Sequence, residues 1–136
     1  MADGLDPKVV GLGAALQIAV TVPPALVVSA LRRDDLAAES NLWLLAALLA
    51  LAVGPAAAGV LVGRRRPDAP LLHAAAATAT AGALLSGVSV TRAAAGSGEV
   101  AALLVTLLTI APIQIGIGVL GAIFSRPRPN PEEIDP

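Results

Sequence analysis

Few side chains in this sequence are equipped for chemistry, and their spacing limits what they can do. The chain has one histidine, His73, and no cysteine. A single imidazole without thiolates or nearby carboxylates supplies neither a zinc-binding set nor the base of a nucleophilic triad. No Asp, Glu, Lys or Arg falls within residues 9–31, 40–63, 69–91 or 100–125, so no two ionisable groups are spaced to act as acid and base on one substrate. Gly11 and Gly13 do not open a dinucleotide-binding turn, because no strand precedes them and the third glycine is missing. The expectation is a chain without catalytic, cofactor-binding or metal-binding residues. Two amides, Gln17 and Gln114, and the basic run Arg64–Arg66 remain as candidates.

The elements that must position these groups are set by the uncharged runs. Each of the four is 22 residues or longer, and about 20 residues at roughly 1.5 Å each cross a ~30 Å hydrocarbon layer. A water-soluble domain needs polar residues interleaved along every element to make an outer face; here they are confined to the connections. The sequence therefore predicts an all-α bundle of four transmembrane helices over residues 1–124, with helices at about 9–31, 41–63, 71–91 and 99–124. A proline-rich cytoplasmic tail follows over 125–136, extended and poorly ordered by composition. Pro23 and Pro24 in helix 1, and Gly54–Pro55 in helix 2, predict kinks, since proline supplies no N–H and crowds the preceding turn. Residues 92–97 read as a loop.

Depth within the runs suggests how the amides meet. Gln17 lies about nine residues into helix 1 and Gln114 about ten residues from the end of helix 4. Helix rise places them at similar depth, and a buried amide is costly unless paired. A hydrogen bond between them, clasping helices 1 and 4, is the expected arrangement. Thr21, Pro23, Thr106, Thr109 and Pro112 gather toward the outer side of that depth. Small residues recur at intervals of four: Gly11, Ala15 and Ala19 in helix 1, Gly59 and Gly63 in helix 2, and Ala74, Thr78, Gly82 and Ser86 in helix 3. Small faces let helix backbones approach closely in lipid, so these are the expected packing faces, first within the bundle and alternatively toward a second protein. His73, in the first turn of helix 3, is expected beside the headgroups.

Charge sets orientation. With the N-terminus inside, Lys8, Arg64, Arg65, Arg66, Arg126 and Arg128 are cytoplasmic against Arg32, Arg33 and Arg92 outside, which predicts an N-in, C-in topology. Arg64–Arg66 reads as a topology determinant and as a candidate site for anionic lipid headgroups. Trp43 and Phe124 are positioned as interfacial anchors. The segment before helix 1 carries Asp3 and Asp6 and lacks a basic start, so the first run reads as a retained helix rather than a cleaved signal. A net charge of −1 suggests no nucleic-acid partner. The abundance of Ala, Gly and Arg suits a GC-rich genome, hence a bacterial inner membrane.

The junction AGVLVGRRR (58–66) followed by LLHAAAA (71–77) resembles a group of small uncharacterised four-span bacterial membrane proteins, in which a glycine-rich helix end, a basic turn and a histidine-plus-small-residue helix start recur. The resemblance implies class and layout without an activity. Two better-known four-span families fit poorly: helix 1 offers Gln17 where small multidrug exporters carry a glutamate, and Phe124 stands at a helix end rather than lining a pore as in small fluoride channels. The functional expectation is a non-enzymatic structural or accessory membrane protein, associating with itself or a larger complex through small-residue helix faces. The alternative is a small-solute transporter or channel subunit with its pathway between helices 1 and 4.

Overall fold

The computed structural model describes residues 4–33, 41–96 and 100–125, with side chains not described at 28–33, 41–44, 47 and 100–107. The 34–40 connection, the 126–136 tail with Arg126 and Arg128, and the side chains of Arg32, Arg33, Trp43 and Thr106 lie outside the described residues.

The chain forms four helices: α1 Pro7–Arg33, α2 Asn41–Arg65, α3 Pro70–Ala95 and α4 Val100–Phe124. Three contain stretches long and apolar enough to cross a membrane, Pro7–Val27, Leu48–Arg65 and Pro70–Ala95; the described apolar stretch of α4, Leu108–Phe124, is shorter. Local chemistry sets the ends. Asp6 caps α1 with Pro7 in the first helical position, where proline's missing N–H has no partner to lose. Pro70 opens α3 in the same way. Residues 92–95 are helical rather than a loop, and α3 stops at Gly96, whose N–H donates to the Arg92 and Ala93 carbonyls. The helices run through Pro23, Pro24, Pro55 and Pro112 without interruption.

The helices pack as a four-cornered bundle in which α1 contacts α2 and α3, α4 contacts the same two, and α2 and α3 also meet across the middle. Among the described residues α1 and α4 stand at opposite corners and do not touch. The interior is built from small side chains: Ala14, Ala58, Ala74, Ala77, Ala81 and Ala122 are buried, with Val62 the largest apolar member. The large apolar side chains point out, among them Leu26, Leu48, Leu72, Leu84, Leu108 at 75% exposure and Phe124 at 83%. In water the hydrophobic effect drives the opposite sorting. Small inside and large apolar outside is the arrangement of a bundle whose solvent is hydrocarbon, where backbone proximity stabilises the interior.

Candidate functional site

Polar groups sit in three places, and the first is the end of the bundle where the N-terminal segment meets the α2–α3 turn. Asp6 Oδ1 accepts from the backbone N–H of Lys8 at 3.0 Å and of Val9 at 3.4 Å. Its other oxygen pairs with the Arg66 guanidinium at 3.2 Å, and Arg66 also reaches Asp68 at 3.0 Å. Burial pushes the Asp6 carboxyl upward, but the Lys8 and Val9 amides and the Arg66 cation outweigh it and hold the group below its ordinary value. The hydrogen bond from Arg66 likewise lowers Asp68, and Asp68, ahead of Asp6, raises Arg66. Arg64–Arg66 is thus not one uniform cluster. Arg66 is committed to two carboxylates, whereas Arg64 and Arg65 are exposed.

His73, in the first turn of α3, is fully buried among its neighbours. Its Nδ1 lies 2.8 Å from the Ala69 carbonyl, and its Nε2 accepts the Asp6 backbone N–H at 3.0 Å. An acceptor at Nε2 and a carbonyl beside Nδ1 specify the neutral imidazole protonated on Nδ1. The ring ties the start of α1 to the start of α3 and has no nitrogen left for other chemistry. Among the described residues, no three His, Asp or Glu side chains group to hold a metal.

The second place is the helix interfaces. Gln17 is completely buried, and neither its oxygen nor its nitrogen has a hydrogen-bond partner. It packs against Gly54 of α2, while Gln114 faces Gly82 of α3. The two amides therefore do not pair. Equal depth put them level, but the α2–α3 contact separates the corners they occupy. Thr21 and Thr78 are also buried without a conventional partner, yet their environment is specific. A Cβ built on Gly54 would collide with the Thr21 hydroxyl oxygen, and one on Gly118 with that of Thr78. The glycine hydrogens occupying those directions point at the oxygens, giving Cα–H···O contacts that contribute about 0.5–1 kcal/mol each.

The same device joins α2 to α4. Gly59 lies against the Gly118 carbonyl, and Gly121 against the Ala56 carbonyl in the reverse sense. Gly63 abuts Ser125 and Ala122. Gly59 and Gly63 thus face α4, and Ala74 and Thr78 are buried on α3, with Gly82 and Ser86 half-buried. On α1 the packing face is displaced from the expected one. Gly11, Ala15 and Ala19 are exposed, with nothing near a Cβ built on Gly11. Gly13, Ala14, Gln17 and Thr21, on the other side of the helix, are buried instead. Spacing alone could not choose between two such strips, which lie two residues apart and so on nearly opposite faces of the helix. Gly118 and Gly121 of α4, and the Asp6 cap, went unrecognised from sequence, although the glycine spacing and the Asp6–Pro7 dipeptide were both visible signals.

The third place is a groove of about 300 Å³ between α3 and α4, bordered by Thr78, Gly82, Ser86, Leu108, Ala111 and Gln114. A smaller recess of about 140 Å³ shares Gly82, Ser86, Ala111 and Gln114 and extends toward Leu51 of α2. Gln114 and Ser86 thus form the wall common to both. Comparison with protein-family models, curated proteins and solved structures returned no match.

Proposed function

We infer that the chain is a non-enzymatic, multi-pass membrane protein that assembles with copies of itself, or as a subunit of a larger complex, through the outward small-residue stripe of α1. The observation that carries this reading is the position of Gly11, Ala15 and Ala19, exposed on a helix whose intramolecular contacts use a different strip. Large apolar side chains cover much of the remaining outer surface. A strip of small residues facing lipid forgoes dispersion contacts that a second helix at close approach would restore.

The bundle is proposed to lie in a bacterial inner membrane, in keeping with composition and with the resemblance to small four-span bacterial proteins. The N-in, C-in orientation rests on the loop charges; Lys8, Arg64 and Arg65 are exposed at one end and Arg92 at the other. Arg64 and Arg65 are then free to meet anionic headgroups, which Arg66 is not. Native mass measurement in mild detergent tests the assembly reading. Wild type is expected as a defined oligomer or with a reproducible companion, and Gly11→Leu with Ala15→Leu as a folded monomer. A wild-type chain that is monomeric and alone, in detergent and in lipid nanodiscs, would sink the reading.

A further inference from the structure

We propose that the α3–α4 groove binds a small, neutral, membrane-soluble molecule with a hydrocarbon body and a carbonyl or hydroxyl group, which hydrogen-bonds to Gln114 and Ser86 at mid-membrane depth. The inference is independent of assembly through α1.

The α3 hydroxyls supply the first observation. Thr80, Ser89 and Thr91 each donate to the carbonyl four residues earlier, at 2.7–2.9 Å. That is the default for a hydroxyl on a membrane helix, because it satisfies the group locally. Thr78 and Ser86, the two hydroxyls lining the groove, make no such bond. The Gln114 amide on the opposite wall is likewise without a hydrogen bond among the described residues. The Thr78 hydroxyl is buried against Gly118, so two hydrogen-bonding side chains on two helices, Ser86 and Gln114, border the space with their donors unspent.

Depth and charge then restrict the occupant. Gly82 stands twelve residues in from Pro70, and Gln114 ten residues in from Phe124, which places both roughly 15–18 Å from the same end of the bundle. That is near the centre of a ~30 Å hydrocarbon layer. Acyl tails carry no hydrogen-bonding group at that depth, and phospholipid esters lie at the interface. An amide left unpaired in hydrocarbon is costly, so the favoured occupant brings a polar atom to the midplane. No ionisable side chain lines the space, which excludes a charged ligand. The volume is at the small end of ligand pockets. Gly82 and Ala111 leave the walls open enough for a ring or branched chain.

The test uses the full chain in detergent, with binding followed by native mass spectrometry and thermal unfolding. Three probes share a ten-carbon branched body: a benzoquinone bearing a two-isoprene tail, geraniol, and the hydrocarbon 2,6-dimethyloctane. The expected result is saturable 1:1 binding of the quinone or geraniol and none of the hydrocarbon. Gln114→Met and Ser86→Ala are each expected to weaken binding about threefold to tenfold. Preference for the quinone assigns a carbonyl ligand, and preference for geraniol a hydroxyl one. Equal binding of the hydrocarbon, no binding of any probe, or unchanged affinity in both variants overturns the proposal. So does a dimer that Gln114→Met disperses, which would make the groove a contact between copies. The probes are compared first on the wild-type chain, so a variant that misfolds does not remove the test.

Discussion

Replacing Gly59 by alanine asks whether glycine-mediated backbone contact holds α2 and α4 together. A Cβ at this position would overlap the Gly118 carbonyl oxygen, stand 2.8 Å from the Gly118 carbonyl carbon and 3.1 Å from the Ala122 nitrogen. All three neighbours are backbone atoms, so no rotamer change relieves the overlap and α4 itself must retreat. That retreat loosens the Gly121–Ala56 and Gly63–Ala122 contacts on the same interface. Overpacking of this kind costs typically 1–3 kcal/mol, occasionally more. Against it stands about 0.5–1 kcal/mol gained whenever alanine replaces glycine inside a helix. The net expectation for Gly59→Ala is a loss of about 1 kcal/mol, more if α4 cannot retreat. Gly87→Ala provides the control, because Gly87 lies inside α3 and nothing lies within 4 Å of its built Cβ; it is expected to be neutral or to stabilise by up to about 1 kcal/mol. The assay is reversible unfolding in mixed micelles of increasing denaturing-detergent fraction, with helicity and an α2–α4 distance pair as the two probes. If Gly59→Ala unfolds at the wild-type midpoint, the backbone-contact account of the α2–α4 interface is wrong.

Other perturbations have equally definite outcomes. Gln17→Met exchanges a buried, unpartnered amide for an apolar side chain of similar shape and is expected to stabilise the bundle by about 1 kcal/mol in the same titration; a loss of stability would mean that the amide has a partner. His73→Ala leaves the Asp6 N–H and a cavity behind, with an expected cost of roughly 2–4 kcal/mol and faster hydrogen exchange at the Asp6 amide. Asp6 and Asp68 are held below the ordinary carboxylate value in the folded chain. The stabilisation they contribute is therefore complete above about pH 4 and is lost as pH falls through their folded values. Unfolding midpoints measured from pH 6 down to pH 2 should fall in that acid range, and less steeply for Asp6→Asn. At neutral pH Asp6→Ala should be the more damaging change, because asparagine can still cap α1.

Much of this protein was legible from one dimension of its sequence. Uncharged runs of membrane-spanning length fixed the number of helices and their approximate limits, because a buried backbone in hydrocarbon must satisfy itself by forming a helix. The charged connections had to fall between them. Two features were readable but unread: Asp6 before Pro7 as a helix cap, and Gly118 with Gly121 as a packing face. What the sequence could not determine was rotation and neighbourhood. Gln17 and Gln114 stand at equal depth in apolar helices, yet which corner each helix occupies depends on the sum of all close contacts. Here glycine-to-carbonyl approaches dock α2 on α4, and the mutual contact of α2 with α3 holds α1 and α4 apart. In an alanine-rich helix, opposite faces offer similarly small residues, so the choice of the Gly13–Gln17 strip over Gly11–Ala15 was made by Val62, Ala77 and Gly54 on the opposing helices. Helix identity is a local property of the chain, whereas helix rotation is a property of the assembled bundle.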